Sequence, residues 1–449
     1  MTDPGVILLS AVILGSCAFL LTLISTDAAV LMLVFSMLLS PEISIAQLQS
    51  RAVVIRFDDL LMLVVFFTWL GKLAINKQLG LIRRTPLNVP LGLFIVGCIV
   101  STGWGIINGS VVAPVKSVFY LLKYIEYFLL YFMIVNVIRD RAQVARFIAA
   151  MLLTAFIVAL NGYWQMVRYG AQWRVTAPFE GAHAEPNTLA GYLILMTGVC
   201  VGMALYSRSS LRRILLLGLA GFMFGPFLYT YSRGGYLGMI GMYVCLCVVS
   251  TRFRPILIGG LVASASLAPA LLPRTVFERL ASTFDPRGMV QLGQFRLAES
   301  PAYRVLVWNV IWEKWREHPF LGYGVTGIGF VDSQYALVIG EVGAIGAGLF
   351  LWVQWRLVSL SLRAFRSLED HWARGLSLGF LAGFVGLLLQ AISGNVFIIV
   401  RIMEPLWFLA AVVTMLPVIC PKAPGPAAAA PAVERRRPGD ASPARAGAV

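Results

Sequence analysis

Charge is what this sequence has least of. Asp, Glu, Lys and Arg together make up 13% of its 449 residues, about half the share of a soluble domain. Acidic residues are scarcer than basic ones, 21 against 36, and histidine occurs three times. No HExxH helix, phosphate-binding glycine loop or DxD pair is present, so no motif points to a zinc hydrolase, a nucleoside triphosphatase or a metal-chelating user of nucleotide sugars. The six cysteines lie in or at the edge of apolar segments, and none has metal-ligand spacing with histidine. Cys245 and Cys247 read as small apolar packing residues. The long polar stretch 273–333 has no cysteine, which excludes a disulfide within it. No Lys or Arg precedes Arg51, so the first apolar run reads as a retained helix rather than a cleaved signal peptide. No internal repeat is visible, which argues against a transporter built from inverted halves.

What fills the chain is apolar. Hydrophobic residues make up 59% and the mean hydropathy is +0.81, the signature of a polytopic membrane protein. Candidate spans fall at 5–25, 28–43, 57–76, 87–106, 118–137, 143–162, 187–206, 212–231, 233–251, 254–272, 334–356, 374–396 and 402–420. The 28–43 run is short for a crossing, so the expectation is an all-α polytopic membrane bundle of about 12–13 spans. The net charge of +15 sits mostly in short loops, where it sets topology and meets anionic headgroups rather than nucleic acid. Loops holding Arg83 and Arg84, Arg139 and Arg141, Arg212 and Arg213, Arg252 and Arg254, and Arg363 to Arg374 are expected to be cytoplasmic. Residues 163–186 and 273–333 then face outward, and the C-terminus is cytoplasmic. The division expected is a transmembrane domain over 1–420, the large outward loop 273–333 inserted within it, and a disordered Ala- and Pro-rich tail over 421–449.

Charges inside apolar runs need partners or functions, since each costs about 2.5–3.5 kcal/mol at the bilayer centre. Lys123 and Glu126 stand three apart on one helix face, a self-neutralising pair lining the bundle. Arg56 with Asp58 and Asp59 reads as an interfacial anchor. Arg401 and Glu404 read as another three-apart pair, at the outward end of the last span, with a site role as open as a structural one. Arg233 lies in YSRGGYLG, where it either snorkels from a hairpin or grips a phosphate with its guanidinium fork. His183 and Glu185 lie just outside the membrane, and Pro186 and Asn187 start a helix. Residues 301–317 read as an amphipathic helix at the membrane surface, with Val305, Trp308, Ile311, Trp312 and Trp315 on one face and Arg304 near its start. His318-Pro319 ends that helix, a flexible turn with Gly322, Gly324 and Gly327 follows, and Asp332 precedes the next span.

The order EPN-x-LAGYL, then SRGGYLG, then YR…W…EHPFLGYG, then DSQYALVIGEVGAIG resembles the O-antigen ligase and O-antigen/exopolysaccharide polymerase superfamily across residues 120–410. The resemblance implies a GT-C-like glycosyltransferase of the bacterial inner membrane. Its large periplasmic loop contains the amphipathic helix. Such enzymes act on undecaprenyl-diphosphate-linked glycans at the periplasmic face, among membrane lipids, without a metal, cofactor or nucleotide sugar. A flippase and a chain-length regulator of the same pathway are the further partners implied. The family's arginine after the serine of its SRG motif matches Arg233, the arginine opening the amphipathic helix matches Arg304, and the late element matches Asp332 to Gly346. The ligases typically carry His-Asn where this chain has Asp332-Ser333, and the Asp form looks more like the exopolysaccharide polymerases. The expected roles are therefore Arg233, Arg304 and Arg401 on the diphosphate, Asp332 as base with Glu185 second, and Asn187, Tyr335, Glu341, Lys123 and Glu126 in support. Polymerisation of lipid-linked repeat units is the reading preferred. Ligation of glycan to lipid A core or protein, transport of a lipid-linked oligosaccharide, and a scaffold role are the alternatives.

Overall fold

A chain inside hydrocarbon has no water to satisfy its backbone, so apolar runs of about twenty residues close their hydrogen bonds internally as helices. The computed structural model describes residues 20, 24–48, 51–75, 83–170, 172–181, 184–271, 274–282, 290–292, 295–297, 299–329 and 331–421. In chain order these give α1 (Thr26–Leu39), a hairpin of β1 (Glu42–Leu48) and β2 (Arg51–Arg56), α2 (Phe57–Ile75), α3 (Asn88–Ile107), α4 (Pro114–Val137) and α5 (Arg141–Tyr169). Then come α6 (Pro186–Tyr206), α7 (Ser210–Leu228), α8 (Arg233–Val249), α9 (Arg254–Leu271) and α10 (Arg274–Ala281). A small hairpin of β3 (Val290–Leu292) and β4 (Phe295–Leu297) leads to α11 (Glu299–Glu317), α12 (Gln334–Ser367), α13 (His371–Gln390) and α14 (Val400–Ile419). Both hairpins are antiparallel, and the molecule is otherwise an all-α polytopic bundle.

Among the described residues, eight helices are long and apolar enough to cross a membrane, or up to nine if a bent pair counts as one span. That pair is α8 with the segment after Ser250, expected as two spans and found bent by 100°. The 28–43 run makes the 14-residue α1, and α2 carries Asp58, Asp59 and Lys72 along its length, which removes both from the set of simple crossings. The 5–25 run, except for residues 20, 24 and 25, and the tail from 422 lie outside the described residues.

The centre is α6 packed along α13. A Cβ placed at Gly202 would collide with the backbone of Gly379, so the two helices touch main chain to main chain, as small residues allow in membranes. Around them α7, α8 and α9 keep Leu211, Ile214, Leu215, Ile240, Val248, Ile256 and Val262 exposed, the apolar outer face expected toward lipid. Asp140 caps α5 by accepting from the Gln143 amide at 2.8 Å. Asp370 caps α13 at Ala373 and takes a two-pronged bond from Arg141. The basic loops around Arg141 and Arg374, expected on one side, thus meet at one end of the bundle.

The opposite end is where α12 is interrupted. It runs 34 residues, with a non-helical Gly343 at φ 62°. The Phe320 carbonyl accepts from Ile345 N and the Pro319 carbonyl from Ala344 N, at 3.2 and 2.8 Å, so the turn after α11 is wedged into the break. The glycine turn expected to be flexible is pinned. Gly322 sits at φ +67°, Tyr323 N and Gly324 N donate to the Gly340 and Glu341 carbonyls, and the Ser101 hydroxyl lies within hydrogen-bond distance of both the Leu321 and Glu341 carbonyls. The aromatic face expected for α11 also divides. Ile311 is buried with Val331, Ala336 and Leu337, while Trp308 and Trp312 stay exposed. The helix docks on α12 through Ile311, so only part of its apolar surface is left exposed.

Candidate functional site

A cavity of about 670 Å³ lies among α4, the loop before α6, the turn at 325–329, the start of α12 and the segment before α14. Its size falls in the range of small-ligand sites, about 300–1,000 Å³. Asp332 is on its wall. Both flanks of Asp332 are anchored. Asn395 donates its amide to the Val331 carbonyl at 2.6 Å, Gln334 N donates to the Ala391 carbonyl, and the Phe397 amide donates to Gln334 Oε1. The carboxylate itself meets Arg304, Nη2 to Oδ2 at 3.0 Å. The seating of Ile311 and Val307 on α12 brings Arg304 there. The fold thus brings together two residues that stand 28 apart in sequence.

Arg233 opens α8. Its predecessor Ser232 caps the helix by accepting from Gly235 N at 2.9 Å and donates to Asn187 Oδ1 at 2.7 Å. The EPN and SRGG motifs are therefore bonded to one another, and Asn187 sits just inside α6, which Glu185 precedes as N-cap. The Arg233 guanidinium turns to the end of α10, donating to the Arg279 carbonyl and to the Ser282 carbonyl and hydroxyl at 2.8–3.3 Å. Its neighbour Gly234, rather than Arg233, is on the cavity wall. Arg279, Arg304 and Arg174 all lie close enough to oppose the charge of Arg233. Burial, then Arg279, hold the Arg174 guanidinium below the usual arginine range. No motif marks Arg174 or Arg279. They become visible only once the loop before α6 and α10 are folded against α8.

The remaining candidates separate. Glu185, Asn187, Lys123, Glu341 and Arg401 line the cavity; His183 lies outside the described residues. Glu341 is buried and accepts from the Thr326 amide at 2.6 Å, so it shapes the turn. Tyr335 donates to the Leu388 carbonyl at 2.8 Å and ties α12 to α13 away from the cavity wall. Lys123 pairs with Glu126 at 2.9 Å, as the spacing implied, and also with Asp59 at 2.6 Å.

Two expected charge groups are different in the fold. Arg401 does not pair with Glu404. Fully buried, it donates to the carbonyls of Leu38, Ser40, Pro178 and Phe179 and to Glu42 Oε1. Its donors clasp two loops to α14, because a guanidinium with no water needs several acceptors at once. Arg56, Asp58 and Asp59 are not an interfacial anchor either. All are buried, with Arg56 paired to Asp58 at 2.7 Å and hydrogen-bonded to the Met37 carbonyl.

Glu180 is a wall residue that no motif identified. Its carboxylate accepts from the Glu185 amide at 3.1 Å. Burial pushes its carboxyl up to about 7, against the pull of Arg401. Arg174, Arg233, Arg279 and Arg304 therefore form a basic cluster beside the cavity, whose own wall carries carboxylates together with Arg56, Lys116, Lys123 and Arg401, and the Arg304–Asp332 contact joins the cluster to that wall.

The O-antigen ligase family model matches residues 219–351, the stretch that contains Arg233, Arg304, Asp332 and Glu341. No curated protein matches the chain.

Proposed function

We propose that this multi-pass membrane protein, whose residues 219–351 match the O-antigen ligase family model, polymerises undecaprenyl-diphosphate-linked repeat units at the periplasmic face of a bacterial inner membrane. The observation that carries this reading is the 3.0 Å contact between Arg304 and Asp332, the latter on the wall of the cavity. Glycosyl transfer from a lipid diphosphate makes two demands. Negative charge grows on the leaving diphosphate, and preplaced cations lower that barrier electrostatically. A hydroxyl of the acceptor must lose a proton, and a carboxylate within hydrogen-bond reach takes it.

In this mechanism the diphosphate of the donor enters next to the basic cluster and competes with Asp332 for the Arg304 guanidinium. Arg304 turns to phosphate, and the Asp332 carboxylate is released to accept the proton. The acceptor oxygen forms its bond to the anomeric carbon of the growing glycan as the bond to the diphosphate oxygen breaks. The electron pair leaves with undecaprenyl diphosphate. Arg233 holds the end of α10 in place and adds positive potential. Arg401 acts by fixing the loop that carries Glu180. The Asp332-Ser333 pair, standing where ligases resemble one another in His-Asn, favours a polymerase.

The test is glycan length in a deletion strain complemented with wild type, Arg304→Ala or Asp332→Asn at equal protein levels. Single repeat units in the deletion and in both variants are expected. Full-length chains retained on undecaprenyl diphosphate would assign a ligase instead. Normal polymer from both variants would remove Arg304 and Asp332 from the chemistry.

A further inference from the structure

Beside the cavity, and away from Arg304 and Asp332, six charged side chains meet inside the bundle. Arg56 pairs with Asp58 at 2.7 Å, and Lys123 with Asp59 at 2.6 Å and Glu126 at 2.9 Å. Glu404 arrives from α14, a different part of the chain, with no solvent exposure. The count does not close. Arg56 and Lys123 bring two positive charges, whereas Asp58, Asp59, Glu126 and Glu404 bring four negative ones when ionised. Uncompensated charge in a low-dielectric interior is strongly unfavourable, so two positive equivalents are missing.

The geometry indicates where they belong. One oxygen from each of Asp58, Asp59 and Glu404 lies within 4.8 Å of the others. Both Glu404 oxygens and Oδ1 of Asp58 are buried with no hydrogen-bond donor among the described residues. Two oxygens on opposite sides of a calcium ion stand about 4.6–5.2 Å apart, twice the usual metal–oxygen distance. The donor set is all oxygen, which suits a hard cation and not zinc or copper. Arg56 and Asp59 also line the cavity, giving an ion a polar route inward.

We propose that Asp58, Asp59 and Glu404 bind one hard divalent cation, of the calcium or magnesium class, which pins the start of α2 to α14. The ion closes the charge count and takes no part in glycosyl transfer, so this site stands whether or not the polymerase reading does. Its role is to hold the N-terminal hairpin and α2 against the last helix, where Arg401 already clasps the segment around Ser40.

The experiment uses the detergent-purified full-length chain, stripped with EDTA, desalted and titrated separately with Ca²⁺ and Mg²⁺. Bound metal is read by elemental analysis and unfolding by tryptophan fluorescence. One ion per chain is expected, with a rise of several degrees in the unfolding temperature that chelator reverses. Glu404→Gln, which keeps the side chain's size but removes a ligand charge, should lose both the ion and the shift. An unchanged shift in Glu404→Gln would overturn the site. So would wild-type protein that holds no metal and whose unfolding responds to acid but not to chelator, because protons would then close the count. If Glu404→Gln does not fold, Asp59→Asn replaces it, and a wild type without a chelatable ion still refutes the proposal.

Discussion

Replacing Asp332 by Asn separates chemistry from structure more cleanly than any other change at this site. The carboxylate and Arg304 are 30% and 23% exposed. Partial exposure leaves an ion pair worth about 1 kcal/mol or less to stability, once solvent screening and side-chain ordering are counted. The amide oxygen of the variant would still accept from Arg304, and the flanking bonds to Val331 and Gln334 use backbone and neighbouring side chains that the change does not touch. The folded chain should therefore lose little. Proton acceptance is different, because an amide has no basicity to offer. Loss of a positioned general base costs about 10²–10⁴ in rate, or roughly 3–5 kcal/mol in the barrier. The assay is polymer formation by purified protein in liposomes loaded with lipid-linked repeat units, beside the unfolding temperature of the same preparation. The expectation is a fall of at least about 100-fold with a nearly unchanged unfolding temperature. Polymerisation within about threefold of wild type, a difference well under 1 kcal/mol in the barrier, would refute Asp332 as the base. A fall in activity matched by a large loss of stability would show that the pair is structural.

Further outcomes follow from the same geometry. Arg304→Lys keeps the charge but not the fork, so donor affinity should weaken by about tenfold or more while folding survives, measured as the apparent KM for the lipid-linked donor. Arg401→Gln strands the carbonyls of Leu38, Ser40, Pro178 and Phe179 and should cost about 3–5 kcal/mol, seen as loss of folded protein in detergent chromatography. Gly343→Ala forces a side chain onto a positive φ against the Phe320 carbonyl and should destabilise by about 2 kcal/mol or more, read from thermal unfolding. For Glu180, a carboxyl raised to about 7 favours the folded state below the unfolded value near 4.3 and loses that contribution as pH climbs through 7. Glu180→Gln should therefore flatten the decline in unfolding temperature between pH 5 and 8, removing a contribution on the order of 2 kcal/mol.

What could be read in the sequence was what depends on neighbours. The helices α3 to α7 and α12 to α14 follow from runs of apolar residues, and the Lys123–Glu126 pair follows from three-residue spacing on a helix. Asp332 and Arg304 were separately legible as polar residues flanking apolar or aromatic helices, and the fold joins them because Ile311 docks on α12. Spacing could not reveal that Arg401 would leave Glu404, three residues away, for acceptors at 38–42 and 178–179. A buried guanidinium needs several carbonyls, and only chain crossings supply them. The same limit hid Arg174 and Arg279, single residues in a loop and on the short α10 that no motif marks. It also hid the pinning of the 318–329 turn, where glycine content suggested freedom but backbone bonds into the broken α12 remove it.

The polarity of the cavity ties these points to the proposed reaction. A lipid-linked glycan is anionic at its diphosphate and largely neutral along its sugars, so a cluster of guanidinium groups beside a carboxylate-bearing cavity gives it one favoured direction. The boundary between the cluster and the cavity is where a leaving phosphate and an arriving hydroxyl are both served, and the Arg304–Asp332 contact occupies it. Exchanging the pair, Arg304→Asp with Asp332→Arg, keeps the net charge and the ion pair. On this reasoning it abolishes polymerisation without unfolding the chain, because the base and the phosphate ligand would then face the wrong substrates. Recovery of polymer in the exchanged variant would mean that the pair acts only as a brace.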